Sequence, residues 1–272
     1  MVPTYQLIAA VGSSFAAGPG IEPIVERPAM RSGRNYAHQL AERLGARLVD
    51  LTVSGATTAN VIDTPQQLLS GDVYPPQLDG VPADADVVTI TAGGNDLQFA
   101  GSMLYAAAER VEPQSPLAGM LRPLFTGGIP FPADNVVEQA TAGLARVVEQ
   151  ARAKAPAARI LLVDYLTVLD KGSGAATPFS DEELHQLLLI QEATARVFRD
   201  AASLSRPELI LASSLSAGHA LGSAEPWVQP FHPFAAQADA SVQQAMMRTG
   251  ASFHPNEAGM TAIAAELQRV LS

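Results

Sequence analysis

Short apolar runs alternate along this chain with longer stretches in which apolar positions recur every three or four residues. The short runs at residues 5–11, 47–53, 87–91, 159–164 and 208–212 predict strands. Between them, Tyr36, Leu40 and Leu44 fall at helical spacing ahead of Gly45, a residue suited to ending a helix in the left-handed conformation. Residues 136–154 repeat that spacing until Pro156. Ser180 followed by Glu183 forms a capping-box signature at the head of a helix running to about Ser203, and residues 256–271 read as a closing helix. Strands alternating with helices predict βαβ units and a parallel sheet.

Two stretches break the alternation. Residues 101–134 mix Pro and Gly with Met103, Leu104, Tyr105, Met120, Leu124, Phe125 and Phe131; residues 213–251 carry Pro226, Trp227, Pro230 and Pro233. Both read as irregular insertions, and irregular segments of this length in a compact domain usually form lids or pocket walls. The apolar side chains of 101–134 suit one wall of an acyl pocket, or a satellite core beneath a loop.

Composition narrows the function classes. A chain of 272 residues with 47% hydrophobic content predicts one domain, 1–272, that folds without staples. It has no cysteine, so disulfides, thiolate metal sites and thiol nucleophiles are all excluded, and nucleophilic work falls to a hydroxyl. A net charge of −10 disfavours nucleic acid and anionic lipid headgroups and favours neutral substrates. Nowhere do 18 apolar residues run uninterrupted, so no stable membrane insertion is expected, and the first strand lacks the basic flank of an export signal. These features predict a soluble, cytoplasmic protein. No cofactor or metal is called for.

In a parallel α/β sheet the site forms where loops leave the carboxyl ends of the strands. After the first strand comes Gly12-Ser13-Ser14-Phe15-Ala16-Ala17-Gly18, after the second Ser54-Gly55-Ala56-Thr57-Thr58, and after the third Gly93-Gly94-Asn95-Asp96. Ser252-Phe253-His254-Pro255-Asn256 leads into the last helix. Each block alone reads as turn or capping geometry. Together they offer a hydroxyl nucleophile, an imidazole base and oxyanion donors, which is the equipment of acyl transfer.

In that order the four blocks resemble the motifs of the SGNH (GDSL-type) serine hydrolases, from Gly12 to Gly259. The Ser54–Thr58 block and Ser223-Ala224-Glu225-Pro226-Trp227 resemble the actinobacterial lipase and esterase branch. The resemblance implies a three-layer α/β/α flavodoxin-like sandwich on a parallel sheet of about five strands. It also implies Ser14 as nucleophile, His254 as general base, and an oxyanion hole of the Ser14 and Gly55 amides with the Asn95 side chain. The implied activity is hydrolysis of small to medium acyl esters, small-molecule or lipid, through an acyl-enzyme on Ser14. Acyl thioesters and carbohydrate O-acetyl groups are alternative substrates for such a site. A degenerate member that binds without turnover is a further alternative.

The chain departs from the family pattern in three places. Gly-Asp-Ser reads Gly12-Ser13-Ser14; the aspartate usual three residues before the histidine is Ala251; and cysteines that relatives carry near Val53 and Gly222 are missing. A Ser14–His254 dyad oriented by a main-chain carbonyl, expected at Ala251, follows, with Glu225 and Asp239 as rival carboxylates. His232, in a second Phe-His-Pro tripeptide, is a decoy for His254, and Ser13 is the rival nucleophile. His38 and His185 read as surface residues and His219 as a candidate for the substrate rim. A phosphate cradle in the first turn is disfavoured, because GSSFAAGPG lacks both a P-loop lysine and GxGxxG spacing.

Overall fold

The computed structural model describes residues 4–68, 70–235 and 241–272. Five strands form the central sheet: β1 (Leu7–Gly12), β2 (Arg47–Asp50), β3 (Val87–Thr91), β4 (Arg159–Val163) and β5 (Glu208–Ile210). Their order is β2-β1-β3-β4-β5 and every pairing is parallel. That is the flavodoxin-like order, and it sets the turns after β1, β2 and β3 side by side at one edge. The expected strand ending at 53 stops at Asp50. Beyond it the Leu51 and Val53 N–H groups still donate to the Ala10 (2.9 Å) and Gly12 (3.1 Å) carbonyls of β1, and between them the Asp50 carboxylate accepts from the Thr52 N–H (3.0 Å) and hydroxyl (2.6 Å).

Ten helices flank the sheet among the described residues: α1 (Ser14–Ala17), α2 (Tyr36–Leu44), α3 (Thr58–Ile62), α4 (Phe99–Val111), α5 (Pro116–Leu121), α6 (Asp134–Lys154), α7 (Asp181–Ser205), α8 (Ala212–Leu215), α9 (Val242–Gly250) and α10 (Glu257–Leu271). The inner strands β1 and β3 are buried on both faces, so successive side chains feed two cores. Leu7, Ala9, Val11, Val88 and Ile90 meet α3, α4, α6 and α7. Ile8, Ala10, Val87, Leu161 and Val163 meet Tyr36 and Leu40 of α2 and Met260, Ile263 and Leu267 of α10. The result is a three-layer α/β/α sandwich. Burying each of the large α10 side chains is worth about 1.5–3 kcal/mol, which anchors the segment just after His254.

Gly45 ends α2 at φ 65°, and Ser180 and Glu183 exchange both bonds of the capping box on α7. The two stretches expected to be irregular are not uniformly so. Helix α4 runs through Val111 and α5 follows; Gln98 precedes α4 at φ 55° with no side-chain cap, so the sequence carries no start signal there. Gly101 lies where a β-carbon would come within 3.2 Å of the Phe125 ring, and Tyr105 stacks on Phe125 at 4.8 Å. Ala108, Leu117 and Ala118 form a satellite core with Leu104, Leu121 and Met246. In the second stretch, α9 begins from a Ser241/Gln244 capping box but buries only Ala245 and Thr249, too few apolar residues to show as periodicity.

Candidate active site

The turn after β1 presents Ser14 as the first residue of α1, with the chain entering through Ser13 in extended geometry. Both serines are buried, and so is the ring of His254. His254 arrives from the far end of the chain on a loop clamped by residues 227–229. The Gln229 N–H donates to the His254 carbonyl (2.8 Å), the Phe253 N–H to the Gln229 carbonyl (3.0 Å), and the Asn256 N–H to the Trp227 carbonyl (2.9 Å). The Gln229 side chain then donates to the Pro19 carbonyl (2.8 Å), tying that loop to the β1 turn.

This clamp places His254 Nε2 2.8 Å from Ser14 Oγ. Nδ1 lies 2.9 Å from the Ser252 carbonyl. A carbonyl only accepts, so Nδ1 carries the proton and Nε2 is the free base facing the serine hydroxyl. The orienting carbonyl is thus Ser252 rather than the expected Ala251, whose carbonyl receives the backbone N–H of His254 instead (3.3 Å). The cause is local: Phe253 sits at φ 64°, and this left-handed step turns the Ser252 carbonyl back under the ring two residues on. Among the described residues, no carboxylate contacts His254. Glu225 is exposed, and its main-chain carbonyl, not its carboxylate, holds His219 Nδ1 (2.7 Å). Asp239 lies outside the described residues.

Burial pushes the His254 pKa down to about 4, against the smaller raising effect of the two carbonyls. The ring is therefore neutral, and a base, at neutral pH. It packs on Phe15 (centroids 5.1 Å), which stacks on Tyr165 (4.1 Å, 11° between planes). Tyr165 is a residue that motif reading passes over, although it stands in the second position after β4, on the site-bearing edge of the sheet. Its hydroxyl meets Ser13 Oγ at 2.7 Å, so the neutral residue before Ser14 has a buried partner. A β-carbon on Gly94 would stand 2.3 Å from the Tyr165 ring, which is why glycine follows Gly93 there.

The other two blocks converge on the same edge. The Val53 N–H donates to the Gly12 carbonyl (3.1 Å), laying the Gly55 turn beside the β1 turn. Asn95 Nδ2 donates to the Ala56 carbonyl (2.8 Å), and Asp96 accepts from the Thr58 hydroxyl (2.6 Å) and N–H. Among the described residues, the backbone N–H groups of Ser14 and Gly55 donate to no protein acceptor. A neutral base on a serine hydroxyl, with unengaged amides nearby, can form an acyl-enzyme and hold its oxyanion.

The remaining histidines lie away from this pair. His185 is exposed. His38 is half-buried rather than a surface residue, its Nδ1 3.4 Å from the Asp50 carboxylate. His232 contributes its backbone N–H to Ser252 Oγ (2.9 Å), and His219 stacks on Trp227 (3.9 Å).

The profile of the GDSL-like lipase/acylhydrolase family matches residues 10–262. The chain belongs to that family. It is accordingly a carboxylic ester hydrolase. It is 29% identical over 248 residues to Lipase 2 of Streptomyces coelicolor, covering 84% of this chain and 77% of that one. The fold is shared with an extracellular lipase of Streptomyces rimosus (TM-score 0.69, 21% identity, 98% of this chain and 100% of that one). It is shared too with phospholipase A1 of Streptomyces albidoflavus (TM-score 0.70, 18% identity, 99% and 100%). No described helix of this GDSL-like hydrolase is long and apolar enough to cross a membrane.

Proposed function

We propose that this single-domain enzyme hydrolyses small to medium acyl esters through an acyl-enzyme on Ser14, with His254 as its general base. The observation that carries this reading is the 2.8 Å contact between Ser14 Oγ and His254 Nε2, with Nδ1 occupied by the Ser252 carbonyl. In the first half-reaction His254 takes the serine proton as Oγ attacks the ester carbonyl, and then gives it to the departing alkoxide. In the second, His254 deprotonates water as it attacks the acyl-enzyme, then returns that proton to Ser14 Oγ as the acyl–oxygen bond breaks and the acid leaves. In this reading the negative charge on the tetrahedral oxygen is met by the amides of Ser14 and Gly55 and the Asn95 side chain.

The Ser252 carbonyl fixes the tautomer as a carboxylate would, but it stabilises the imidazolium less. The names of the relatives, a lipase and a phospholipase A1, support acyl esters over other substrates. A chain-length series of p-nitrophenyl esters beside acetylated xylan tests this. Turnover of the butyrate and hexanoate is expected. Deacetylation of the xylan alone would overturn the substrate assignment, and failure of Ser14 to label with a fluorophosphonate would overturn the mechanism.

A further inference from the structure

We propose that Gln66 is a positioning residue for the oxyanion hole: its side-chain amide holds the Ser54–Gly55 peptide in the orientation that leaves the Gly55 N–H free for substrate. The inference rests on the reading of Gly55 as an oxyanion donor.

The Ala56 N–H donates to the Val53 carbonyl (3.1 Å), closing a β-turn over residues 53–56, and Gly55 occupies its third position at φ 84°. That combination is a type II turn. Its middle peptide, Ser54–Gly55, has a second orientation, in the type I turn, rotated by about 180°. A trans peptide carries its C=O and N–H on opposite sides of one plane, so whatever grips the Ser54 carbonyl also aims the Gly55 N–H. Gln66 Nε2 donates to that carbonyl at 2.9 Å. The rest of the turn is held elsewhere: the Ser54 N–H donates to the Ala29 carbonyl (3.0 Å), and the Arg31 guanidinium donates twice to the Thr52 carbonyl. These bonds fix the stems but leave the middle peptide free to rotate. Among the described residues, Gln66 alone bonds that peptide.

Gln66 itself is firmly placed. Only 8% exposed, it sits in a two-stranded ribbon opposite Tyr74, whose hydroxyl donates to Glu26 of the neighbouring ribbon (2.9 Å). A β-carbon on Gly55 would lie 3.4 Å from Gln66 Nε2, so the amide stands directly against the turn. Gln66 Oε1 is buried with no protein partner among the described residues. Turning the amide over would set Oε1 against the Ser54 carbonyl, acceptor to acceptor.

The test compares Gln66→Leu with Gln66→Met, which keeps the length; neither side chain can donate to the Ser54 carbonyl. Kinetics on p-nitrophenyl butyrate are run beside inhibition by an alkylboronic acid, whose tetrahedral serine adduct places an oxygen in the hole. Both variants should lose roughly 10- to 100-fold in kcat, less than the 10² to 10³ that removing a donor outright costs, with KM within twofold. The boronate inhibition constant should rise by the same factor. If Gln66→Leu fails to fold, Gln66→Met carries the test. Wild-type kcat in a folded variant, or a change confined to KM, would overturn the proposal. Asn95→Ala serves as the control. If it lowers kcat and the Gln66 variants do not, only the role of Gln66 falls; if it too leaves kcat unchanged, the oxyanion hole itself has been misread.

Discussion

The buried hydroxyls of Tyr165 and Ser13 stand 2.7 Å apart, and the ring of the same tyrosine lies flat on Phe15. One side chain therefore grips the residue before Ser14 and the residue after it. Tyr165→Phe keeps the stacking but strands Ser13 Oγ, so it should lower stability by about 1–3 kcal/mol. The double variant Ser13→Ala/Tyr165→Phe should recover most of that loss, because removing both partners is nearly neutral. Urea unfolding of the four proteins gives the answer; strict additivity of the two single effects would mean that the contact contributes nothing.

Ser14→Ala should abolish hydrolysis and fluorophosphonate labelling, with a fall in kcat on the order of 10⁶-fold, while the protein stays folded, the loss of the partner of His254 Nε2 lowering stability by about 1–3 kcal/mol at most. Ser13→Ala should still label. A labelled Ser14→Ala protein with an unlabelled Ser13→Ala protein would move the nucleophile by one residue.

Asn95→Ala should reduce kcat by about 10² to 10³ with KM little altered, since its donor acts chiefly when charge develops on the substrate oxygen. The lost bond to the Ala56 carbonyl adds about 1 kcal/mol of destabilisation. A rise in KM at constant kcat would make Asn95 a ground-state binding residue instead.

The buried imidazole sets the pH behaviour. With its pKa held at about 4, below its ordinary 6.5, His254 stays a base throughout the mildly acidic range. The acid limb of kcat/KM should fall near pH 4, and the profile should be flat from about pH 6 to pH 8. An acid limb at pH 6–7 would show the ring to be open to water. Stability shares the cause: the unfolded chain binds the His254 proton at a higher pH than the native protein. That contribution is fully present above pH 6.5 and is lost as the pH falls towards about 4.

Glu225→Ala should change kcat by less than about twofold, since the exposed carboxylate does not reach His254. A loss of about 10³-fold with the fold retained would restore a full triad.

The five strands and the Ser14, Gly55, Asn95 and His254 blocks are legible in the sequence because each depends on local patterning: apolar runs, turn residues, and polar groups just past a strand end. What stays hidden depends on tertiary geometry. Helix α4 starts from an uncapped left-handed Gln98, so no motif marks it. Ala251 and Ser252 are equivalent as orienting carbonyls until the positive φ of Phe253 is known. Tyr165 and Gln66 meet the site across 152 and 12 residues of chain, through contacts that no spacing rule encodes.

Ser14 and His254, the proposed dyad, are separated by 240 residues. A pairing so distant in sequence closes a loop that holds nearly the entire domain, so it exists only while the β1 turn and the segment leading into α10 are held together. Hydrolysis thus reports on assembly of the whole sandwich. Local opening of α10 or of the 227–229 clamp would withdraw the base and silence the serine while most of the sheet remained intact, so activity should vanish at lower urea than the far-UV signal of the folded protein.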